Sequence, residues 1–357
     1  MNPRQRAFTA LSMKEPDRVP LDYWADDTIT QNLISRLGLK SKEALLKEFG
    51  IDFRYIEGTV LINGKQPDKD GSWEDIWGVK RKKIKSGKSY YENVTEYPLA
   101  KASTVKEIED YKGWPSADIY DYSRVEQMAS VHEGYCVICG GDRLNRTAQL
   151  KPAMYLRGIE QILFDLATDE KLVCAINERL VHFFLEYNRR IFENSNKKID
   201  IFFMGDDFGT QMGLMMSIGM WRRLFKPGFR RFIELAHKFD IKVMHHSCGA
   251  VSELIPDFID CGLDILQSLQ PTAAGMDLAR IKKEYGRHIC FQGGVDITRT
   301  MPFGSVREVK SEVKKLIDTM SPGGGYILCT SHNIQADTPE ENVLAMYEEG
   351  MSHRYGH

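Results

Sequence analysis

Short apolar runs alternate with amphipathic stretches along most of the chain after about residue 104. The runs have the length and apolar character of buried strands, while the stretches between them show helical periodicity. Strands are predicted at 135–140, 199–204, 241–246, 263–266, 288–292 and 325–329, and helices near 104–111, 121–133, 152–168, 169–197, 217–238, 250–261, 275–285, 305–319 and 338–350. A repeated strand-then-helix order predicts parallel strands with helices packed outside them.

The N-terminal part of the chain supplies two further strand candidates, Val19 to Tyr23 and Asp52 to Glu57. Helices are predicted over 3–13, 27–37 and 41–49, and glycines follow the last two. About eight strands in total favour a closed (β/α)8 TIM barrel over an open sheet. The prediction is therefore a single α/β domain over residues 1–357, with N-terminal helices.

Residues 58–100 break this alternation. They combine Asp, Gly and Pro turns with short polar and aromatic runs, and they include the basic run Lys80-Arg-Lys-Lys-Ile-Lys85. This composition predicts a small β-rich insertion in the barrel. The basic run is interpreted as the solvated face of a hairpin, because it is short and the chain as a whole is slightly acidic.

Composition narrows the class of function. The chain has 357 residues, of which 42% are hydrophobic, and a formal net charge of -2. That charge predicts no nucleic-acid or membrane partner and favours chemistry on a small-molecule substrate. Seven cysteines without regular spacing indicate a reducing compartment, and no apolar run approaches the length of a membrane span. A cytoplasmic protein is expected.

Polar side chains follow the predicted strands where each strand ends. In a (β/α)8 barrel these positions line one mouth, which is where the chemistry of such folds takes place. Candidate substrate-binding residues in these positions are Glu57, Asp142, Gln211, Gln292 and Asn333. Gly293 and Gly294 allow either a close backbone approach to a ligand or a tight turn.

The strand that ends at His246 carries the strongest candidate for metal chemistry. Side chains alternate along a strand, so His246 and Cys248 face the same way and His245 faces the other. An imidazole and a thiolate on one face suit zinc. Candidates for a third ligand are His332, Cys329 and one of two aspartates. His332 is favoured because it lies past its strand, whereas Cys329 lies within an apolar run.

The two aspartates, Asp206 and Asp207, are adjacent in the sequence. On extended backbone only one of them can face the mouth, where it could transfer a proton, orient substrate or approach the metal. The other is expected to cap the following helix or to pair with an arginine. The sequence does not distinguish them, so Asp206, Asp207 and His332 are all retained as candidate catalytic residues.

Several motifs together resemble the uroporphyrinogen decarboxylase superfamily. They are Arg4 to Ala10 followed by Pro16-Asp-Arg-Val-Pro20, Gly205-Asp-Asp-Phe-Gly-Thr-Gln211, His246-Ser-Cys-Gly249, Gln292-Gly-Gly-Val-Asp296, Pro322-Gly-Gly-Gly-Tyr-Ile-Leu328, Ser331-His-Asn-Ile334 and Thr338-Pro-Glu-Glu-Asn342. This superfamily contains the true decarboxylase, a metal-free (β/α)8 barrel, and the zinc-dependent methylcobamide:coenzyme M methyltransferases. The resemblance runs nearly end to end.

Within the superfamily the chain is more similar to the methyltransferases. His246 and Cys248 match two of their zinc ligands, and His332 stands where they have a cysteine. The decarboxylase's Arg-Gln-Ala-Gly-Arg run is absent, since this region reads Asp22-Tyr-Trp-Ala-Asp-Asp27. His332, however, matches a decarboxylase histidine.

The resemblance implies a zinc-dependent, methyltransferase-like enzyme that activates a thiol or alcohol. It also implies a corrinoid carried by a separate partner protein, because the chain lacks the Asp-x-His-x-x-Gly pattern of corrinoid carriers. A homodimer is implied by resemblance alone. The alternatives are a metal-free decarboxylase acting on a porphyrinogen or a smaller acid, and a non-catalytic binding subunit of a methyltransferase complex.

Overall fold

A computed structural model describes residues 1–355 except 65–66, 87–88 and 141–145. Its strands are β1 (Phe53–Ile56), β2 (Val60–Leu61), β3 (Ser72–Glu74), β4 (Lys80–Ser86), β5 (Ser89–Glu96), β6 (Tyr120–Asp121), β7 (Cys136–Cys139), β8 (Ile201–Gly205), β9 (Lys242–His246), β10 (Ile265–Leu269), β11 (Cys290–Val295) and β12 (Tyr326–Thr330).

The helices in the first half are α1 (Pro3–Leu11), α2 (Asp27–Arg36), α3 (Lys42–Glu48), α4 (Val105–Glu109), α5 (Val125–Ser130), α6 (Leu150–Arg157), α7 (Ile159–Thr168) and α8 (Glu170–Glu193). Those in the second half are α9 (Ile218–Leu224), α10 (Lys226–His237), α11 (Ile255–Asp260), α12 (Leu278–Tyr285), α13 (Thr300–Phe303), α14 (Val306–Met320) and α15 (Glu340–Ser352). Short 3₁₀ turns lie at Ala117–Ile119 and Ser252–Leu254.

Seven strands form one parallel sheet in the order β1-β7-β8-β9-β10-β11-β12. The sheet curls around an inner apolar cluster to which all seven strands contribute, formed by Ala7, Phe53, Cys136, Ile138, Ile201, Phe203, Met244, Ile265, Cys290 and Ile327. Inward-facing side chains are two apart on β7 and β8, as strand geometry requires. The six strands predicted after residue 104 are confirmed, with ends that differ from the prediction by at most three residues.

The eighth strand is where the structure departs from the predicted barrel. Val19 to Tyr23 forms no regular strand; instead Leu21 makes an isolated parallel bridge to Leu328, and Ala25 makes one to Ile334. Pro20 lies within this segment and has no N–H group to donate to a strand ladder. The structure therefore confirms a curled parallel sheet of seven strands.

Two predicted helices are each divided in two by a local backbone signal. The helix predicted over 152–168 is broken at Gly158, whose φ of +94° ends α6 and leads directly into α7. The helix predicted over 217–238 is divided after Phe225, and Pro227 lies in the first turn of α10. Glycine with positive φ and proline at a helix start both mark boundaries.

Helix α1 covers the inner cluster from one end of the sheet. Asn2 and Gln5 form a capping box with Pro3 in the first turn, which explains why the helix begins there. Ala7 belongs to the inner cluster, and Phe8 and Leu11 pack against it. This end of the sheet is thus filled by apolar side chains.

The segment predicted as β-rich contains a three-stranded antiparallel sheet, β3-β4-β5. In the basic run on β4, Lys80 is paired with exposed Glu96, while Arg81 points inward and bonds the buried carboxylate of Asp75 at 2.8 Å. No helix among the described residues has the length and apolarity needed to cross a membrane.

Candidate metal centre and its cavity

Strand β9 delivers His246 to the edge of the sheet, and Cys248 follows two residues later. The Nε2 atom of His246 lies 3.3 Å from Cys248 Sγ. His245 points the opposite way into the helix layer, among Phe208, Phe229 and Phe258. The alternation expected along this strand is confirmed.

The loop after β12 brings His332 to the same place. One ligand atom from each of His246, Cys248 and His332 lies within 4.8 Å of the other two. The indole of Trp24 packs against both imidazoles, with ring centroids 5.1 Å from His246 and 5.2 Å from His332. The three residues come from two distant parts of the chain and meet at the carboxyl ends of β9 and β12.

This donor set fits zinc. Tetrahedral zinc with nitrogen and sulfur ligands separates those ligand atoms by about 3.5 Å, close to the observed distance between His246 and Cys248. His332 requires only a small adjustment of its side chain to complete a three-ligand set, because its ligand atom lies within 4.8 Å of the others. Three protein ligands leave one position open, as in catalytic zinc sites.

Burial sets the protonation of His246 and Cys248. It lowers the pKa of His246 to about 3, so the imidazole is neutral at neutral pH. It raises the pKa of Cys248 to about 11, which keeps the thiol protonated in the metal-free chain. A metal that replaces this proton would therefore bind more tightly as pH rises.

The two adjacent aspartates have different surroundings. Asp206 is buried, and its carboxylate accepts the N–H groups of Gln149, Leu150 and Lys151 at 2.6 to 2.8 Å, which caps the start of α6. Burial nevertheless raises the pKa of Asp206 to about 6. Asp206 therefore caps a helix that precedes it in the chain, whereas the sequence analysis expected a cap on the following helix.

Asp207 faces the three-residue cluster. Its Oδ1 accepts the Cys248 N–H at 3.0 Å and lies 3.5 Å from His246 Nε2, while Lys151 Nζ donates to Oδ2 at 2.8 Å. Burial would raise the pKa of Asp207, but His246, Lys151 and the Cys248 N–H outweigh it, and the pKa lies below its usual range.

A cavity of about 390 Å³ opens beside the cluster. His246 and His332 are in its wall, together with two of the predicted substrate-binding residues, Glu57 and Asn333. Aromatic rings and three cationic side chains form much of the remaining wall. The rings are those of Tyr23, Trp24, Tyr55, Tyr155 and Phe203, and the cations are Lys42, Arg146 and Lys151. The Arg146 guanidinium lies 4.2 Å from the centroid of Phe203, so its charge rests on an aromatic face.

Other predicted residues lie elsewhere. Among the described residues, the cavity wall includes neither Gln211, which is exposed, nor Gln292, which is buried and donates its amide to Asp22. Cys329 is buried within β12, as its apolar run predicted. Asp142 falls outside the described residues.

Sequence analysis missed the pair formed by Asp22 and Tyr55. The Tyr55 hydroxyl donates to the buried Asp22 carboxylate at 2.6 Å, and the phenol ring is in the cavity wall. An inward position on β1, two residues after Phe53, was the available signal. Gln267, whose Oε1 lies 2.6 Å from His246 Nδ1, was also not among the predicted site residues.

Glycines 293 and 294 turn out to lie within β11, with φ of +115° and +101°. A Cβ at Gly293 would come 2.9 Å from the Leu269 nitrogen on the neighbouring strand. Gly293 therefore permits close contact between strands, whereas Gly294 lies against Leu316 and Leu278 of the outer helices, and neither glycine is in the cavity wall described above.

Comparison with known proteins gives several partial matches. The sequence profile of a family described as Uroporphyrinogen decarboxylase (URO-D) matches residues 147–353, more than half of the chain. Over 173 residues the chain is 26% identical to methylcobamide:CoM methyltransferase MtaA of Methanosarcina barkeri, covering 43% of this chain and 49% of that protein. Over 70 residues it is 36% identical to uroporphyrinogen decarboxylase of Trichodesmium erythraeum, covering 19% and 18%.

The chain thus spans about half or less of the length of these curated relatives. Among solved structures, a methyltransferase from Methanosarcina mazei superposes with a TM-score of 0.70, covering 99% of both chains at 18% sequence identity. At that identity the likeness extends to the fold alone.

Proposed function

The chain belongs to the uroporphyrinogen decarboxylase family, near the methylcobamide:CoM methyltransferase branch of its superfamily, and from this premise we propose that it is a zinc-dependent methyltransferase. The observation that carries the proposal is the convergence of His246, Cys248 and His332 beside a cavity large enough for a small substrate. The proposed acceptor of the methyl group is a thiol or an alcohol.

In this proposal His246, Cys248 and His332 hold the zinc. When bound, zinc lowers the pKa of a thiol or alcohol so that its deprotonated form is available as a nucleophile at neutral pH. The cavity excludes part of the solvent from that group. Its aromatic wall can bind the apolar part of a substrate, and Glu57 and Asn333 offer a carboxylate and an amide to its polar part.

Asp207 orients the cluster in this proposal. Its lowered pKa makes it a weak proton acceptor, while its bond to the Cys248 N–H holds the cysteine backbone in place. Asp206 has a structural role as the cap of α6, which carries Lys151 to the cavity. Of the two aspartates, Asp207 is thus the one assigned to the reaction.

The proposed methyl donor is a methylated corrinoid on a separate partner protein. A corrinoid of this kind would supply the methyl group and keep the electron pair of the carbon–cobalt bond, and the cavity of this chain would hold the thiol or alcohol that accepts the methyl group. The proton of the thiol or alcohol leaves to solvent or to a cavity base such as Glu57, which is exposed.

We also propose that the seven-stranded sheet is closed into a (β/α)8 barrel by the segment from Leu21 to Ala25. The Asp52 N–H donates to the Leu21 carbonyl at 2.9 Å, and the Asp22 N–H donates to the Leu328 carbonyl at 3.0 Å, so the segment touches both edge strands. The whole chain is proposed as one domain, with 58–100 as an insertion.

Elemental analysis of protein purified without added metal or chelator tests this function. We expect about one zinc per chain, lost in Cys248→Ala because a two-histidine remnant binds zinc weakly. Cys329→Ala is the matched control: it removes a buried thiol from the alternative ligand position and should retain the metal.

Zinc lost from Cys329→Ala but kept by Cys248→Ala would contradict the ligand assignment. Absence of metal from the wild-type protein would contradict the zinc proposal itself. It would favour decarboxylation of an anionic substrate, for which Lys42 and Arg146 in the cavity wall provide positive charge.

A further inference from the structure

The two ring nitrogens of His246 face different partners. Nδ1 lies 2.6 Å from the side-chain oxygen Oε1 of Gln267, whereas Nε2 lies 3.3 Å from the Cys248 sulfur and 3.5 Å from the Asp207 oxygen Oδ1. A neutral imidazole carries one proton, so its two nitrogens cannot both act as donors or both as acceptors. The acceptor at Nδ1 is much closer than the one near Nε2, so the contact with Gln267 determines which nitrogen carries the proton.

Gln267 offers an acceptor to Nδ1. A carboxamide oxygen can accept a hydrogen bond and cannot donate one, so the proton of His246 belongs on Nδ1. The lone pair then remains on Nε2, which points toward Cys248. A metal ligand needs that lone pair, and a hydrogen bond at the other nitrogen is the usual way in which proteins fix it.

The fold holds Gln267 firmly in this position. Strands β9 and β10 are neighbours, and Gln267 pairs with His246 in the register between them. The Gln267 side chain is only 1% exposed, so water does not compete for the contact. The Gln267 carbonyl also accepts the Ser247 N–H at 2.7 Å, which fixes the backbone between His246 and Cys248.

We propose that Gln267 is a positioning residue that holds His246 in the Nδ1–H tautomer and so presents Nε2 as a metal ligand. The metal part of this inference rests on the proposed function, whereas the tautomer is a property of the metal-free chain. Because glutamine is neutral, it orients the imidazole without adding negative charge to a site in which Cys248 is the anionic ligand.

Nitrogen-15 NMR of histidine-labelled, metal-free protein tests the tautomer. The His246 signals are assigned by their absence from a His246→Gln variant. We expect the Nδ1–H form in the wild type and in Gln267→Glu, which keeps an acceptor. Gln267→Met removes the acceptor and should populate the Nε2–H form. Gln149→Met, which removes another buried amide, should leave the His246 signals unchanged.

Zinc competition with a chromophoric chelator tests the expected effect of Gln267 on the affinity for zinc. Loss of a hydrogen-bond partner of this kind typically weakens metal binding about 10- to 100-fold, which we expect for Gln267→Met and not for Gln149→Met. An unchanged His246 tautomer in Gln267→Met would overturn the inference, and so would the Nε2–H form in the wild type. Gln267→Glu keeps the test decisive if the methionine variant does not fold.

The two proposals can fail separately. If the wild-type chain binds no zinc, the proposed function fails, and the NMR comparison still decides whether Gln267 sets the tautomer. If the chain binds zinc equally well with Gln267→Met and the tautomer is unchanged, the role of Gln267 fails while the metal centre stands.

Discussion

Asp22 is a carboxylic acid with no solvent exposure beside the cavity wall. It accepts the Tyr55 hydroxyl at 2.6 Å and the Tyr23 N–H at 2.8 Å, and it also accepts the Gln292 amide. Burial dominates over these hydrogen bonds and raises its pKa to about 6. The folded chain thus holds this proton more tightly than the unfolded chain, where aspartate ionises near pH 4.

A pH dependence of stability follows from Asp22. Because the pKa of Asp22 is higher in the folded chain than in the unfolded chain, the protonated carboxyl adds to the free energy of unfolding. This contribution is fully present below about pH 4 and is lost as the pH rises through about 6. Asp22→Asn, which cannot ionise, should therefore gain stability relative to wild type between pH 4.5 and 7.5, by on the order of 2 kcal/mol. Urea unfolding at both pH values measures the change, and groups common to both proteins cancel in the difference.

Tyr55→Phe is the matched variant, and its expected effect on stability is opposite to that of Asp22→Asn. It removes a donor that favours the ionised Asp22, so it should lose stability mainly above pH 6. A difference between Asp22→Asn and wild type that does not change with pH would contradict the assigned ionisation of Asp22.

At the scale of elements, two loops that follow neighbouring strands interlock beside the metal centre. Gly249 has a φ of +85°, and a Cβ there would come 2.6 Å from the Thr210 carbonyl oxygen and 2.8 Å from that of Gly209. The loop after β9 thus lies directly on the loop after β8, and Cys248 is placed by that contact.

Gly249→Ala should destabilise the protein and weaken zinc binding, because the added methyl group forces the two loops apart. Gly134→Ala is the control: its φ is +88° but a Cβ there meets no atom within 4 Å. Backbone strain of about 1 kcal/mol applies to both variants, so any additional loss measured by urea unfolding comes from the clash. Equal losses in the two variants would show that the loops do not constrain each other.

At the scale of the whole molecule, one buried carboxylate connects the N-terminal segments to the sheet. Asp52, just before β1, bonds Arg6 of α1 at 2.6 Å and Arg18 at 2.8 Å, and it accepts the Leu21 N–H at 2.9 Å. Its side chain has no exposure. Helix α1, the bridging segment near Leu21 and the first strand are therefore held by the same group.

Asp52→Ala should cost about 3–5 kcal/mol, because it leaves two mostly buried guanidinium groups without their shared partner. Asp318→Ala, which breaks an exposed pair with Lys314, should cost at most about 0.5 kcal/mol. Chemical unfolding of both variants measures the contrast. A loss below 1 kcal/mol for Asp52→Ala would show that the N-terminal segments contribute little to the stability of the sheet.

The sequence by itself determined the local features of this protein. Apolar runs gave six strands of the sheet, and the alternation along β9 put His246 and Cys248 on one face, because neighbouring residues alone fix these properties. The family motifs could also be identified from the sequence alone. His332 was chosen over Cys329 because it lies just beyond an apolar run.

Tertiary structure decided what depends on residues far apart in the chain. Asp206 turns away from the cavity because it caps a helix that starts 56 residues earlier, so nothing adjacent in sequence could separate it from Asp207. Gln267 meets His246 from 21 residues away through strand register. Asp22 meets Gln292 across 270 residues, because the N-terminal segment lies against the last strand of the sheet, next to the strand that carries Gln292.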